Sequence, residues 1–355
     1  MKILNIMLSH DLGGIQQAFL DYNTALGMQK IEVINITSYK AKINSFLHKQ
    51  NLKLPNIVPF DLLSVLILKY IIHKTKPDII IAHGNRAINF SKFAKSQNIK
   101  LIGIAHNYSL KGLRKCDFVI TLTHHMKEFL LKNNFAESRI CILPNMINIA
   151  KDFTPNKTYR KPIVIGVLAR FVAKKGVDVF INAIKILKEK KYDIQAVIGG
   201  SGEEEDNLIA LARKLNLQDQ ISFTGWVNDR DKFFKQIDIF CLPSLHEPFG
   251  IIVLEAMEAS VPIVSTDTEG PAEILTHLQD GLICKAGSSE DLAEKIVYLI
   301  ENPIKAKEFS KNAYLTLKQN YDIKVVSEKL QHILESFNKI LAPTDSINSF
   351  TLEFL

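Results

Sequence analysis

A strand, a loop and a helix are predicted in succession between residues 239 and 276, and this stretch constrains the fold more than any other. The apolar run Asp238 to Leu242 is typical of a buried strand, and two prolines and a glycine then interrupt it. The N–H groups of Phe249, Gly250 and Ile251 fall at the start of the following helix, where the dipole is positive. A glycine there also lets a ligand approach the main chain closely. The stretch therefore predicts an anion-binding helix start.

Two glutamates eight residues apart frame this helix start. Glu247 lies in the loop and Glu255 in the helix, within Pro-Ser-Leu-His-Glu-Pro-Phe-Gly and Leu-Glu-Ala-Met. The pattern resembles the E-x7-E signature of retaining glycosyltransferases of the GT-B type, group 1 or family 4. The resemblance implies that Glu247 contacts the transferred sugar and that Glu255 hydrogen-bonds the nucleotide ribose. An ordinary strand, loop and helix with two solvated carboxylates is the alternative.

The resemblance implies an α/β fold with two Rossmann-like, doubly wound parallel-sheet domains that face a cleft. A chain of 355 residues is long enough for two such domains. The predicted division is an N-terminal acceptor-side domain at 1–150, a linker at 151–162 and a C-terminal nucleotide-sugar-binding domain at 163–320. Residues 321–341 are predicted to form a helix that crosses back to the first domain, and 342–355 a tail.

A glycine pair follows the first predicted strand, residues 2–9. Gly13 and Gly14 lead from this strand into a helix predicted over 15–28. A turn of this kind suits a phosphate that passes close to the backbone. By the resemblance, the pair lies near the diphosphate of the donor. The alternative is a plain turn, which is the more common role of two adjacent glycines.

Two cations follow the first strand of the second domain. Arg170 and Lys175 resemble the Gly-Arg-(x)4-Lys-Gly segment of the family, with Ala169 in place of the first glycine. The resemblance implies that both clamp the donor diphosphate. The chemistry requires cations there, because departure of a nucleoside diphosphate leaves negative charge that fixed positive groups stabilise. A solvated basic turn is the alternative.

Two further loops of the second domain are assigned to the donor. Gly200 lies in a Gly-Gly-Ser-Gly turn after a strand predicted over 194–198. This turn is not G-x-G-x-x-G, which argues against a nicotinamide-dependent dehydrogenase. Trp226 and Val227 fall where the loop of the family borders the nucleobase.

Two histidines follow predicted strands of the first domain. His83 comes after strand 79–82 and His106 after strand 101–105, and ligands in parallel α/β sheets bind beyond such strand ends. His106 lies where the family commonly has a histidine that contacts the transferred sugar. His83 is assigned more loosely, to the acceptor side. A structural role is the alternative for each.

No metal or cofactor is predicted. The four cysteines are scattered, without a CxxC pair or a histidine at ligand spacing, so structural zinc is not expected. Asp229 and Asp231 form the D-x-D that metal-dependent transferases of another fold use, but here the pair precedes an amphipathic segment and is interpreted as a helix cap.

The charge is unevenly distributed along the chain. Residues 1–150 contain 19 lysines and arginines against 8 aspartates and glutamates, whereas the remainder has 25 against 29. The basic half suits an anionic membrane surface or an acidic acceptor. Its basic residues are dispersed and no nucleic-acid-binding motif is present, so nucleic acid is not a predicted partner. A helix predicted over 61–74 is apolar nearly all round, and either packs against a sheet or dips into a membrane interface.

The acceptor is indicated by the segment Thr266 to Glu273. Its Glu-Gly-Pro resembles the form found in lipopolysaccharide-core transferases. The predicted function is therefore retaining, metal-independent transfer of a sugar from a nucleotide-sugar to a hydroxyl of a membrane-held glycolipid or glycan. Without a predicted signal peptide or membrane span, the expected location is cytoplasmic, peripheral on the inner face of the membrane. The rival hypothesis is a nucleotide-sugar-binding or scaffold protein without turnover.

Overall fold

Two parallel β-sheets flanked by helices make up the fold in a computed structural model of the protein. The structure describes residues 1–11, 13–47, 51–58, 61–154 and 161–339. The first sheet has seven strands, in the spatial order 51–54, 32–38, 2–7, 79–83, 100–105, 118–121 and 140–142. The second has six, in the order 221–225, 194–199, 163–168, 239–242, 263–266 and 282–284. The predicted α/β class with two doubly wound parallel sheets is confirmed.

The first half of the chain alternates strands and helices. Its strands are β1 (Lys2–Met7), β2 (Glu32–Ser38), β3 (Asn51–Leu54), β4 (Ile79–His83), β5 (Lys100–Ala105), β6 (Phe118–Thr121) and β7 (Ile140–Ile142). Its helices are α1 (Gly14–Met28), α2 (Leu62–Thr75), α3 (Asn85–Ala94), α4 (Leu110–Leu113) and α5 (His124–Lys132).

The second half repeats the alternation and ends in helices. Its strands are β8 (Ile163–Leu168), β9 (Ile194–Gly199), β10 (Ile221–Gly225), β11 (Ile239–Leu242), β12 (Ile263–Thr266) and β13 (Leu282–Cys284). Its helices are α6 (Val177–Glu189), α7 (Glu205–Lys214), α8 (Arg230–Gln236), α9 (Ile251–Glu258), α10 (Pro271–Ile274), α11 (Ser289–Glu301), α12 (Pro303–Asn320) and α13 (Ile323–Lys339).

The central strands are apolar because helices cover the sheets. Every residue of β4, β6 and β11 is buried, as expected for parallel strands packed on both faces. The chain leaves β1 toward β2 on one side, and β4 pairs with β1 on the other. In the second sheet, β8 lies between β9 and β11 in the same way. Ligands bind at such reversals of strand order, beyond the carboxyl ends of the strands.

The last helix packs against the first half of the chain. The side-chain amide of Gln29, the C-cap of α1, donates to the Ser327 hydroxyl of α13 at 2.9 Å, and the rings of Phe118 and Phe337 stack with centroids 3.9 Å apart. The predicted domain boundaries stay predictions. Residues 155–160 of the predicted linker and the whole predicted tail lie outside the described residues.

Two features of the first half differ from the sequence-based expectation. Strand β3 was not predicted, and it pairs with β2 at the edge of the sheet. Helix α2 is buried on one side only: Val65 and Leu68 are in the core, whereas Leu62, Leu66 and Tyr70 are exposed. Among the described residues, no helix is both long enough and apolar enough to cross a bilayer.

Candidate active site

Lys175 and Glu247 meet at the carboxyl edge of the second sheet. Lys175 ends a 3₁₀ turn after β8, and its ammonium contacts the Glu247 carboxylate. Gly176 allows this arrangement: its φ is 60°, and a Cβ there would lie 2.1 Å from the Pro243 carbonyl oxygen. The close approach of the two loops brings together residues that are 72 positions apart.

The loop that carries Glu247 is held by its main chain. The Gly270 N–H donates to the Glu247 carbonyl at 2.9 Å, and the Glu247 N–H donates to the Glu269 carboxylate at 3.3 Å. Gly250, with φ 91°, then turns the chain into α9. Glu247 is 9% exposed, so contacts with the protein fix the position of its carboxylate.

Arg170 lies at the same edge with an exposed side chain. Within the described parts of the chain, this guanidinium has neither an ion pair nor a hydrogen bond. The backbone beside it is fixed by Gly200, where a Cβ would lie 1.8 Å from the Ala169 carbonyl oxygen. Gly200 has φ 136° and is required for this close packing. Lys175 therefore reaches a predicted site carboxylate, whereas the exposed Arg170 side chain has no competing partner among the described residues.

Glu255 is paired with a residue that the sequence did not single out. The Arg230 guanidinium donates to both carboxylate oxygens of Glu255. Burial raises the pKa of the Glu255 carboxyl, and the neighbouring Arg230 opposes that shift. Arg230 lies between Asp229, which accepts from the Lys232 N–H and caps α8, and Asp231, which pairs with Lys151. The cap predicted for Asp229 is thus present. The sequence pattern does not indicate that Arg230, the residue between the two aspartates, pairs with Glu255.

The predicted glycine pair faces the start of α9. A Cβ on Gly14 would lie 3.8 Å from Cγ2 of Ile251, so α1 and α9 begin opposite each other. Gly13 precedes α1 with φ 170°, an extended conformation open to any residue. The Phe249 ring is buried against Tyr321, which leaves only its main chain for a ligand.

The loop after β10 presents one exposed ring. Trp226 is 46% exposed, whereas the Val227 side chain packs against Gly199 at the end of β9. The Gly200 N–H donates to the Gly225 carbonyl at 2.7 Å and ties this loop to the neighbouring strand end. Of the two residues predicted to border the nucleobase, Trp226 has an exposed ring that a ligand can contact, whereas the Val227 side chain is packed against the end of β9.

The two predicted histidines form a stack in the first sheet. His83 is 2% exposed and lies beneath His106, with Nδ1 of His83 3.0 Å from Nε2 of His106. Asn5 holds the stack from below, because its amide nitrogen donates to the Phe19 carbonyl and its Oδ1 lies 3.0 Å from Nε2 of His83. His83 is thus buried and contacts His106, and its assignment to the acceptor side stays a prediction.

This chain of hydrogen bonds fixes the histidine tautomers. Asn5 Oδ1 only accepts, so Nε2 of His83 carries the proton and Nδ1 of His83 accepts from Nε2 of His106. Nδ1 of neutral His106 is then left as an acceptor. Burial lowers the pKa of His106 to about 4 and that of His83 well below its ordinary value. Both rings are therefore neutral at pH 7.

A second cluster that the sequence did not indicate joins the two halves of the chain. The Glu273 carboxylate accepts from the N–H groups of His124 and His125, at 2.7 and 2.6 Å, and so caps α5 from across the cleft. The Tyr108 hydroxyl lies 2.7 Å from Nδ1 of His125, and the Tyr108 ring contacts that of His246 with centroids 5.5 Å apart.

His246 in turn is tied to the loop of the site. Its Nδ1 lies 2.8 Å from Oε1 of Glu269, whose other oxygen accepts from the Glu247 N–H. No local signal identifies this network, because its members come from four separate segments. Among the described residues, no group of three His, Cys, Asp or Glu side chains could hold a metal ion.

Comparison with known proteins places this arrangement in a family. Residues 12–151 match the family described as Glycosyltransferase Family 4, and residues 148–316 match Glycosyl transferases group 1. An uncharacterised glycosyltransferase of Haemophilus influenzae is 28% identical over 93% of this chain and 98% of its own. The lipopolysaccharide core biosynthesis glycosyltransferase LpsE of Rhizobium meliloti is 26% identical over 95% of this chain and 99% of its own.

A solved structure shows the same fold. HepE of Anabaena, crystallised in complex with UDP, superimposes with a TM-score of 0.81 at 20% identity, over 95% of this chain and all of that one. The two family matches meet near residue 150 and together extend over both sheets. The chain therefore belongs to the family 4, group 1 glycosyltransferases and is a glycosyltransferase with the GT-B fold.

Proposed function

We propose that this enzyme transfers a sugar from a nucleotide-sugar to an acceptor hydroxyl, with retention at the anomeric carbon and without a metal. The observation that carries the proposal is the meeting of Lys175 with Glu247 beside the start of α9, opposite Gly14. A cation, a carboxylate and two helix starts converge there at the carboxyl edges of both sheets. Phosphates and sugar hydroxyls are the groups that such an edge binds.

The donor diphosphate is assigned to the second sheet. The Arg170 guanidinium can donate two parallel hydrogen bonds and is not engaged elsewhere among the described residues, and the Lys175 ammonium adds a compact positive charge. The first N–H groups of α9 lack intrahelical acceptors and can also donate to a phosphate. A phosphate that binds Lys175 competes with Glu247 for the ammonium. Glu247 is then released to accept from a hydroxyl of the sugar, and Glu255 is assigned to the ribose.

The proposed reaction is a front-face substitution. The acceptor oxygen forms a bond to the anomeric carbon as the bond from that carbon to the diphosphate oxygen breaks, and the departing diphosphate takes the acceptor proton. Arg170 and Lys175 stabilise the charge that develops on the leaving group. His106, neutral and with Nδ1 free to accept, is assigned to a hydroxyl of the transferred sugar.

A membrane-held glycolipid of the lipopolysaccharide-core class is the proposed acceptor. LpsE is named for core biosynthesis, and the Glu-Gly-Pro that includes Glu269 lies next to Glu247. The basic first half of the chain suits an anionic membrane surface, approached peripherally from the cytoplasmic side. A free glycan is the second acceptor to test.

The test combines donor binding with turnover. A thermal-shift panel of UDP-, GDP- and ADP-sugars identifies the donor, with UDP-sugars first because HepE was crystallised with UDP. Donor hydrolysis is then measured for the wild type, Arg170→Ala and Glu247→Ala in the presence of a chelator. We expect turnover by the wild type and its loss in both variants. Binding without turnover would leave a nucleotide-sugar-binding scaffold, and stabilisation by a nicotinamide dinucleotide instead would indicate a dehydrogenase.

A further inference from the structure

Helix α2 of the first half exposes an apolar stripe. Leu62, Leu63, Leu66 and Tyr70 lie at helical spacing on its outer side and are each between 55% and 64% exposed. Ile57, on the loop before the helix, is 69% exposed, and its N–H donates to the Asp61 carboxylate that caps α2. Monomeric proteins rarely expose a contiguous apolar surface of this kind without a partner.

The same side of α2 continues into a basic groove. The groove runs between the ends of α2 and α3, has a volume of about 480 Å³, and is lined by Lys69, Ile72, His73, Lys76, Phe93 and Ser96 among others. Lys69 and His73 line the groove and lie next to the stripe along α2, three residues after Leu66 and Tyr70 respectively. Within the described residues, Lys69, His73 and Lys76 make no ion pair, so the ammonium groups of the two lysines are available to an anion.

Basic residues outnumber acidic ones around the groove, although Lys95 in its lining is paired with Asp117 at 3.1 Å. Residues 61–97 contain six lysines and arginines but only Asp61 and Asp78 as acidic residues. Asp61 is buried and engaged in capping α2 through Ser64, and the Asp78 carboxylate accepts from the Lys2 N–H. Neither carboxylate is paired with a lysine of the groove, and the segment keeps an excess of positive charge.

The stripe begins beside the cleft. The side-chain amide of Asn56, directly before Ile57, donates to the Leu8 carbonyl just after β1 and accepts from Arg86 near the start of α3, and the Asn56 N–H donates to the Ser64 hydroxyl of α2. The first turn of α2 is thus tied to the strand ends where the histidine stack lies. Over its 14 residues, about 21 Å, α2 runs from that edge toward the basic groove.

We infer that this surface, the α2 stripe with its basic groove, docks the enzyme on an anionic phospholipid bilayer. The inference deepens the proposed function, since it rests on a membrane-held acceptor. Leucine and tyrosine side chains enter the interface, while Lys69, His73 and Lys76 contact phosphate groups. The charge disfavours a second copy of this chain as the occupant, because a two-fold contact would set one basic groove region against another.

Vesicle co-sedimentation of the full chain tests this surface. Wild type is compared on vesicles of equal parts phosphatidylcholine and phosphatidylglycerol and on vesicles of phosphatidylcholine alone. We expect binding to the anionic vesicles only. The double variant Leu62→Ser, Leu66→Ser should reduce the partition coefficient at least about tenfold. Lys69→Ala with Lys76→Ala should reduce it about fivefold for each lysine removed.

Helix α12 supplies matched controls on the opposite half of the chain. Ile304→Ser with Leu315→Ser removes two exposed apolar side chains, and Lys307→Ala with Lys311→Ala removes two exposed lysines. Neither pair should alter vesicle binding. Equal binding to both vesicle types, or wild-type binding by the α2 variants, would overturn the inference. A change of mass in light scattering without a change in vesicle binding would assign the stripe to a second copy instead.

Donor hydrolysis without vesicles separates this inference from the proposed function. The α2 variants should hydrolyse the donor as the wild type does, because the changed side chains are exposed on α2 and are not among the residues assigned to the donor. Turnover without vesicle binding would overturn the docking surface alone. A wild type inert toward every donor would overturn the proposed function, whatever the vesicles show.

Discussion

The two sides of the cleft are built from different chemistry. The first sheet presents a neutral stack, in which Asn5 and His83 fix the tautomer of His106. The second sheet presents charges that are paired with one another, Lys175 with Glu247 and Arg230 with Glu255. A ligand can use the first side without rearranging it, whereas on the second side a ligand that binds Lys175 or Glu255 must replace an ion pair.

The difference predicts two kinds of defect. Removing one member of a partly buried ion pair leaves the other without its partner, which costs more than the pair contributes. Removing a neutral ring from a hydrogen-bonded stack takes away one contact and leaves the charge balance unchanged. Changes on the second side should therefore have the larger effect on turnover.

Lys175→Ala is expected to have the largest effect. It removes a cation from the leaving group and leaves Glu247 unpaired, so kcat should fall about a thousandfold. The measurement is steady-state transfer or donor hydrolysis. Lys174→Ala is the matched control, because Lys174 is exposed and contributes its carbonyl to Leu245, and the variant keeps that carbonyl. Equal losses in the two variants would mean that the turn, rather than the Lys175 charge, matters.

His106→Ala should follow, with a fall in kcat of about a hundredfold and little change in donor affinity. The reason is that Nδ1 of His106 accepts from the sugar hydroxyl in the proposed reaction. Asn5→Leu should lower kcat by a smaller factor. It removes the acceptor that fixes the His83 tautomer but leaves both histidine rings in place. His332→Ala is the control, because His332 is exposed on α13. If the donor KM rose while kcat stayed unchanged, His106 would contribute to donor binding and not to the reaction step.

Much of the fold could be predicted because its signals are local. The apolar run of β11 and the spacing in α1 are contained in a few consecutive residues. Strand β3 could not be predicted, because Asn51–Leu54 is short and half polar and forms a strand only through its pairing with β2. The two faces of α2 could not be told apart either, since apolar residues occur on both.

Some residues of the site could also be predicted, because their signals are local in the sequence. The spacing of Glu247 and Glu255 identifies both carboxylates, and it says nothing of Arg230, which reaches Glu255 only in the folded chain. His83 was placed at a strand end and proved to lie beneath His106, because sequence gives the end of a strand but not the depth of a side chain. The roles assigned to these residues stay predictions.

Glu273→Gln tests whether the two sides act together. The Glu273 carboxylate caps α5 from the opposite half of the chain, and a neutral amide holds the helix start less strongly, by about 1 kcal/mol. We expect the donor KM to rise several-fold with a smaller change in kcat. Ser288→Ala is the control, since Ser288 caps α11 within the second half alone. It should lower the thermal midpoint and leave KM unchanged; the same change in KM would show that any lost cap has this effect.

One residue challenges the description of the first side as neutral. Asp21 of α1 is buried, and among the described residues its Oδ2 has no hydrogen-bond partner. Burial raises the pKa of Asp21 to about 7, opposed by the hydrogen bond from Gln17, and the charge of Glu255 across the cleft adds to the rise. The neutrality of this side therefore depends on pH.

Asp21→Asn should show the smallest effect and should define that dependence. In the unfolded chain the carboxyl is ionised well below pH 6, whereas in the folded chain it loses its proton near pH 7. The native state thus binds more protons than the unfolded state, and wild-type stability falls as the pH rises through 7. The variant lacks this loss, so its stability relative to the wild type should increase by about 1 kcal/mol between pH 6 and pH 8. Urea unfolding at both pH values measures the difference, with exposed Asp193→Asn as the control. A pH-independent difference would mean that Asp21 stays ionised, and the two sides of the cleft would then differ less in charge than in the way their charges are paired.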